Sequence, residues 1–104
     1  MYVIIWRYRI DPAKLPEFEA AYNSDGEWVS LFRNFDGFIR TELLQDLDKD
    51  EYMTLDYWTD VDSYTQYKSE SKAEFRELDD RCEEFTVEET FIGAFELERA
   101  DARW

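Results

Sequence analysis

Apolar residues along the chain recur either at every second position, as in a strand, or at every third or fourth position, as in a helix. Each change of spacing predicts a new element. Residues 2–10 (YVIIWRYRI) are nearly all β-formers, so they predict a strand that is apolar on both faces at its start. Asp11 and Pro12 then supply an N-cap and a proline at the first helical position. Apolar residues recur at helical spacing from there to Tyr22. We therefore predict a helix over 12–22.

A turn, NSDG, separates this helix from a segment rich in large aromatic residues. The apolar side chains of the segment fall on one side of a short helix that stops before Asp36. The segment could plug one end of the core, which is the simpler interpretation, or form a lid over a pocket. Its apolar residues are Trp28, Leu31, Phe32 and Phe35.

The stretch from Gly37 to Tyr67 predicts a β-hairpin followed by a helix, and we expect the rest of the chain to pack around it. GFIRTELL and EYMTLDYW are rich in β-branched and aromatic residues, whereas DLDKDE between them is polar. The second strand ends at Trp58, after which Thr59 or Asp60 caps the helix.

The helix after the hairpin carries an apolar stripe that runs to Phe85 and includes Ser71 if steps of three or four residues are kept. The polar segment Ser69 to Lys72 interrupts the stripe. The pattern therefore predicts either one long helix with a polar middle or two helices with a bend.

The last apolar stretch, Val87 to Leu97, alternates and predicts a final strand. Its alternation places Val87, Phe91, Gly93, Phe95 and Leu97 on one face, with Gly93 as a β-bulge or a point of close approach. We expect 1–97 to form the domain and 98–104 to form a tail whose Trp104 could dock on a neighbour.

The element order is strand, helix, strand, strand, helix, strand. It predicts an α+β, ferredoxin-like βαββαβ fold: a four-stranded antiparallel sheet with helices on one face. The strands carry apolar residues on both faces, so a monomer would expose a large apolar surface. Pairing of two sheets in a homodimer, as a dimeric α/β barrel, is the simplest solution.

Composition narrows the classes of partner and of chemistry. The chain has 104 residues, 26 acidic against 12 basic, and a net charge of -14, which disfavours nucleic acid and anionic membranes. It contains no histidine, which excludes imidazole bases and imidazole metal ligands. With one cysteine, Cys82, and neither a leader segment nor a transmembrane run, we expect a cytoplasmic protein.

The sequence contains no complete motif for calcium binding, for a cysteine nucleophile or for phosphate binding. The acidic hairpin loop lacks the glycine and the terminal glutamate of an EF-hand, Cys82 has no histidine partner, and no glycine-rich phosphate loop exists. We therefore expect no metal site.

Three stretches together resemble the antibiotic biosynthesis monooxygenase family of dimeric α/β barrel proteins. They are the second strand GFIRTELL, the third strand ending in YW before TDVDSY, and the helix end FRELDDRCEEFT. The resemblance spans roughly Tyr2 to Glu96. The family includes quinol oxygenases, haem-degrading enzymes and proteins without an assigned reaction. The resemblance therefore implies the fold more firmly than the activity.

In polyketide-oxidising members of that family, a tryptophan that closes the third strand and a tyrosine six residues later line a cavity. Trp58 and Tyr64 match that spacing and are the implied catalytic residues. The members' asparagine corresponds to Thr54, and their helix arginine falls near Leu78. Haem-degrading relatives need a helix histidine and a first-strand asparagine, and because Trp6 replaces the asparagine and histidine is absent, that activity is rejected.

The resemblance implies a cofactor-independent monooxygenase acting on small aromatic, quinol or polyketide-like compounds. Such an enzyme must bind and desolvate a substrate that can become an electron-rich anion and reduce O₂ itself. We expect Trp6 and Tyr8 to stack the substrate, and Arg7, Arg9 or Arg40 to stabilise the anion if they face the pocket. Substrate-binding candidates are thus Trp6, Tyr8, Thr54 and Arg40.

Each candidate also has an ordinary structural interpretation. The aromatic residues could be core, and the arginines could pair with Glu42 and Asp56 across the sheet or at a dimer interface. Two further functions stay open: a non-catalytic dimer that binds a hydrophobic small molecule in a stress or regulatory role, and a structural protein whose own aromatic residues fill the cavity.

Overall fold

A computed structural model of the chain describes residues 1–97, so the predicted tail and the docking of Trp104 lie outside the described residues. The strands and helices follow one another in the predicted order, with two short 3₁₀ turns and with the second and fourth helices as additions to that order. The elements are β1 (Tyr2–Ile10), a 3₁₀ turn (Pro12–Lys14), α1 (Leu15–Tyr22), α2 (Glu27–Phe32), β2 (Phe38–Gln45), β3 (Glu51–Trp58), α3 (Val61–Glu70), α4 (Lys72–Cys82), a 3₁₀ turn (Glu83–Phe85) and β4 (Thr86–Glu96).

The sheet is antiparallel throughout and has four strands in the order β2-β3-β1-β4. This is the predicted ferredoxin-like topology. The two inner strands are β1, which pairs with β3 and β4, and β3, which pairs with β1 and β2. The hairpin therefore supplies one inner and one edge strand, and β1 shares the centre of the sheet with it.

The predicted caps explain where two helical segments begin. The Asp11 carboxylate accepts a hydrogen bond of 3.0 Å from the Ala13 N–H, and the Asp60 carboxylate accepts one of 2.8 Å from the Ser63 N–H. Each bond satisfies an N–H that has no partner inside the helix. The first helix differs from the prediction in opening with a 3₁₀ turn before α1.

The helix after the hairpin is two helices with a bend at Ser71. Ser71 has φ -109° and ψ 17°, outside α-helical values, and ends α3 where α4 starts. Its side chain is only 1% exposed, which confirms its place on the apolar stripe. No helix within the described part of the chain is both long and apolar enough to cross a membrane.

The core lies between the helices and one face of the sheet, and aromatic rings fill most of it. Phe18 and Trp58 are fully buried. Phe32 of α2 packs edge-on against Trp58 and Tyr67, at ring distances of 5.6 Å and 5.0 Å. The aromatic segment therefore plugs the core, as the simpler interpretation expects.

The last strand carries the predicted bulge at Gly93, which changes the face of the residues beyond it. Phe91 pairs with Trp6, whereas Phe95 pairs with Val3, and the register shifts between these two pairs. Because Trp6 and Val3 point to opposite faces of β1, Phe91 and Phe95 do so too. The prediction that they share one face is wrong for this reason.

The face of the sheet that points away from the helices is apolar, and no helix covers it in the single chain, although Val3 and Tyr57 on it are only 5% and 8% exposed. Strand alternation places Val3, Leu55 and Tyr57 there, together with Leu44 and Phe95, which are 48% and 47% exposed. These five residues are called the open face below. This surface is the one expected from the sequence to need a partner.

Candidate functional site

A cavity of about 190 Å³ lies between the sheet and the helices. Aromatic side chains from β1 and from all four helices form most of its wall. They are Trp6, Tyr8, Tyr22, Trp28, Phe32, Tyr64, Tyr67 and Phe75. The polar groups that reach it are Thr41, Thr54, Asp56, Lys68, Asp79 and Glu89.

The floor of the cavity comes from one face of the three strands β1, β3 and β2. Trp6 pairs with Thr54, and Asp56 pairs with Thr41 on its other side. Paired residues on antiparallel strands project to the same face, so these four side chains converge on the cavity. Strand alternation thus positions them without any loop.

The structure brings four of the predicted site residues together: Trp6, Tyr8, Thr54 and Tyr64 all line the cavity. Trp6 and Tyr8 are stacked on β1 with ring centroids 6.4 Å apart. Tyr64 reaches the cavity from the first turns of α3. The two sides of the site therefore come from the sheet and from the helix after the hairpin, as the sequence predicts.

Trp58 lies behind the cavity wall. It is fully buried, stacks on Tyr67 at 5.2 Å and meets Tyr64 edge-on at 5.7 Å. Its indole Nε1 has no hydrogen-bond partner among residues 1–97. Trp58 therefore supports two tyrosines that touch the cavity and does not line it.

Arg40 lies on the opposite side of the sheet from the cavity. Its guanidinium sits 4.1 Å from the centroid of the Tyr57 ring on the open face, and it pairs with Glu42 at 3.9 Å. The physical reason is strand alternation, because Thr41 occupies the cavity side of β2 and Arg40 precedes it. Arg40 is thus no part of this cavity.

The two first-strand arginines also face away from the cavity. Arg7 contacts Asp46 and Glu51 at 3.3 Å and 3.2 Å, and Arg9 pairs with Glu88 at 3.5 Å. Arg40 does pair with Glu42, but both residues lie on β2, so the salt bridge runs along one strand and not across the sheet. The salt-bridge interpretation is wrong for Asp56, which pairs with no arginine in the described residues.

Asp56 is a cavity residue that the sequence analysis missed. The Thr41 hydroxyl donates a hydrogen bond of 2.7 Å to its carboxylate. Burial raises the pKa of the Asp56 carboxyl to about 6, although the Thr41 bond opposes this shift. The signal was present, because Asp56 lies two residues from both Thr54 and Trp58 on the same face of β3.

Three tyrosines near this carboxylate are held in the neutral form. Burial is the largest cause that raises the pKa of Tyr8, Tyr64 and Tyr67, and the negative charge of Asp56 adds to it in each case. For Tyr64 the pKa rises to about 12. Neutral phenols can donate hydrogen bonds to an anion in the cavity.

The helix side of the cavity carries one lysine, with two acidic residues around it. The Lys68 ammonium lies 3.7 Å from the centroid of the Phe75 ring. Burial lowers the pKa of Lys68, while Asp79 on α4 opposes that shift. Glu89 on β4 has a raised pKa, first through burial and then through Asp79. Lys68 is the cation that the sequence analysis missed.

The described residues offer no group of three or more acidic or cysteine side chains that could hold a metal ion. Cys82 is buried, and burial raises the pKa of its thiol to about 11. A protonated, enclosed thiol is a poor nucleophile. The chemistry available in the cavity is therefore stacking, hydrogen bonding from phenols and hydroxyls, and proton exchange with carboxylates.

Comparison with known proteins connects this geometry with one family. The family model described as antibiotic biosynthesis monooxygenase matches residues 1–78. A search of curated proteins finds no match to the sequence.

Solved structures share the fold over nearly the whole chain. A variant of SnoaB, a cofactor-independent oxygenase from Streptomyces nogalater, superposes with a TM-score of 0.77 at 22% identity, covering 98% of this chain and 97% of that one. A second SnoaB structure gives 0.71 at 21% identity, covering 98% and 97%. A conserved protein from Methanosarcina mazei gives 0.70 at 21%, covering 93% and 92%. At these identities the likeness establishes the fold.

Proposed function

Because the chain belongs to the antibiotic biosynthesis monooxygenase family, we propose that it is a cofactor-independent monooxygenase acting on a small aromatic, quinol or polyketide-like compound. The observation that carries the proposal is the cavity in which Trp6, Tyr8 and Tyr64 surround polar groups from the sheet. Rings of this kind stack on a flat substrate and exclude water from it.

The size of the cavity limits the substrate. A volume of about 190 Å³ is below the range of roughly 300–1,000 Å³ that is usual for drug-sized ligands. We therefore favour compounds of one or two fused rings, such as hydroquinones and dihydroxynaphthalenes, over larger tricyclic anthrones. Lys68 would attract a negatively charged substituent on such a ring.

The reaction needs an electron-rich anion and O₂ as the oxidant. The substrate loses a proton, the anion transfers one electron to O₂, and the resulting radical and superoxide combine. For the favoured substrates the balance is one dihydroxynaphthalene plus one O₂, giving one hydroxynaphthoquinone and one water. The protein's part is to bind the ring, keep water away and hydrogen-bond the developing anion.

Each predicted site residue has a place in this proposal. Tyr64 donates a hydrogen bond to the substrate oxygen, Trp6 and Tyr8 stack on the ring, and Thr54 supplies a hydroxyl on the floor. Trp58 acts as a positioning residue, since it packs against Tyr64 from behind. The first 97 residues form the domain in this proposal.

We also propose that the protein works as a cytoplasmic homodimer. The open face supports this proposal, because it is the apolar side of the sheet that no helix covers. Two such faces would bury one another, as in a dimeric α/β barrel. The acidic net charge of -14 favours a small-molecule substrate over nucleic acid or membrane.

Oxygen consumption tests the proposal. The purified protein is offered hydroquinones, dihydroxynaphthalenes and anthrones, without added metal or cofactor, in an oxygen electrode. We expect turnover of at least one compound, and a loss of at least tenfold in kcat for Tyr64→Phe. Tyr52→Phe is the matched control, because Tyr52 is a buried tyrosine of the core that does not line the cavity. No oxygen uptake with the whole panel would contradict the proposal.

A non-catalytic binding module is the second candidate. Thr54 stands where polyketide-oxidising members have asparagine, which favours binding without turnover. In that case calorimetry would detect binding of dihydroxynaphthalenes while the oxygen electrode would show no uptake. A structural role with a cavity filled by its own aromatic residues would give neither signal.

A further inference from the structure

We infer that Asp56 is the proton acceptor of the cavity, taking the hydroxyl proton of a bound phenol or quinol. The inference rests on the proposed function for the class of substrate. It assigns a catalytic role to a residue that is not among the site residues predicted from the sequence.

The position of the carboxylate is the first support. Asp56 lines the cavity from β3, between Thr54 and Trp58 on the same face of the strand. One carboxylate oxygen is held by the Thr41 hydroxyl at 2.7 Å, and no other side chain of residues 1–97 donates a hydrogen bond to the carboxylate. A hydroxyl on the substrate can therefore bond to the second oxygen.

The groups that face Asp56 are the second support. The titratable groups that line the cavity with Asp56 are the neutral phenols of Tyr8, Tyr22, Tyr64 and Tyr67, the ammonium of Lys68, and the acidic side chains of Asp79 and Glu89. Within 1–97 Asp56 has no ion-pair partner, so among the described residues the Thr41 hydrogen bond is what favours its charged form. A carboxylate of this kind gains stability when it accepts a proton.

The basicity of the Asp56 carboxylate suits it to accept the substrate's hydroxyl proton. Burial raises the pKa of Asp56 to about 6, so the group is ionised at neutral pH yet is a stronger base than an ordinary carboxylate. A general base is most effective when its pKa lies near the working pH.

The proton transfer can be written without a change in the net charge of the cavity. The O–H bond of the substrate breaks, its electron pair stays on the substrate oxygen, and the proton bonds to an Asp56 carboxylate oxygen. The negative charge moves from the carboxylate to the aromatic ring, where it is delocalised. The anion then transfers one electron to O₂, the radical and superoxide join in a C–O bond, and the proton on Asp56 converts the peroxide into a hydroperoxide. The oxygenated carbon then loses its hydrogen as a proton while the O–O bond breaks, which leaves a C=O group and releases water.

A binding experiment tests the contact without requiring turnover. 2-Naphthol carries the O–H group, and 2-methoxynaphthalene, a ligand of similar shape, lacks it. We expect calorimetry on the wild type to show naphthol affinity falling about tenfold as the pH drops through about 6, whereas methoxynaphthalene affinity stays constant. In Asp56→Asn the naphthol affinity should lose this pH dependence. Asp48→Asn, on the hairpin loop, is the matched control.

Turnover supplies the second test, on any compound that the wild type oxidises. We expect Asp56→Asn to lower kcat about 100-fold at neutral pH and to remove the acid limb of the kcat/KM profile. Its rate should recover at a pH high enough to ionise the substrate in solution. A structural role alone would change the rate without moving the pH profile.

The outcomes separate the two proposals. Naphthol binding with the same affinity and pH dependence in wild type and Asp56→Asn would overturn the assignment of Asp56. An unchanged acid limb of the kcat/KM profile in Asp56→Asn would overturn it as well. The absence of oxygen uptake by the wild type would instead overturn the monooxygenase proposal, while the pair of naphthalene ligands would still decide whether Asp56 receives the O–H group.

Discussion

The Thr41 hydroxyl and the Asp56 carboxylate form a hydrogen bond of 2.7 Å that joins β2 to β3 beneath the cavity. Thr41 is 4% exposed, so the bond is protected from competing water. It stabilises the charged form of a carboxylate that burial disfavours. The two effects together set the pH at which Asp56 loses its proton, and this pH can be tested through stability as well as through activity.

Asp56→Asn should make the protein less sensitive to pH in the acidic range. The pKa of Asp56 rises from 3.8 to about 6 on folding, so between these values the folded state binds more protons than the unfolded state. The stability that the Asp56 carboxyl contributes to the fold is fully present below about pH 4 and declines as the pH rises towards 7. Asparagine resembles the protonated form, so the stability of the variant relative to wild type should grow with pH by up to about 3 kcal/mol.

Urea unfolding at several pH values between about 4 and 7 measures this difference. Asp46 and Asp60 have lowered pKa values, so the stability that they contribute is lost in acid. Wild type and variant lose it equally, so it does not affect the difference between them. If the free energies of unfolding of wild type and variant differed by the same amount at every pH in this range, the result would contradict the raised pKa of Asp56.

Thr41→Val should raise the pKa of Asp56 further. The substitution keeps the shape of the side chain and removes the donor that favours the carboxylate form. A hydrogen bond to a charged group contributes about 1.5–3 kcal/mol, so we expect a rise of about one pH unit. Carbon NMR of the aspartate carboxyl groups measures the titration directly. Thr65→Val on α3 is the control, and an equal shift there would show that the effect is unrelated to the contact.

The sequence predicted the fold better than the faces of its strands. The order of elements and the Asp11 and Asp60 caps follow from local patterns, and the structure confirms them. The bulge at Gly93 was predicted, but its consequence was not, because an inserted residue reverses the alternation beyond it.

The site was predicted in part, for a related reason. The family resemblance implied Thr54 and Tyr64, Trp6 was proposed as an aromatic ring that could stack on a substrate, and all three line the cavity. Asp56 and Lys68 were missed, because a lone charged residue in a sequence gives no sign of which charges surround it after folding. Pairing across strands and packing of α3 on the sheet decide that, and both are tertiary properties.

Lys68→Met should weaken the binding of anionic ligands. Lys68 lines the cavity, and methionine can keep the apolar contact with Phe75 while removing the charge. We expect about tenfold weaker binding of a naphthol carboxylate, equivalent to about 1.4 kcal/mol, and unchanged binding of 2-naphthol. Calorimetry compares the two ligands. Lys72→Met, on the exposed surface of α4, is the control, and equal loss for both ligands would show that the charge of Lys68 does not select anions.

Leu55→Asp should prevent the proposed homodimer from forming. Leu55 is on β3, on the open face, where a carboxylate would lie in the apolar interface without a partner, and burying such a charge costs several kcal/mol. We expect light scattering to give the mass of a dimer for the wild type at micromolar concentration and of a monomer for the variant. Leu47→Asp introduces the same charge at the hairpin tip, where the side chain is 93% exposed, and should stay dimeric. A monomeric wild type would contradict the dimer, and a dimeric Leu55→Asp would move its interface away from the open face.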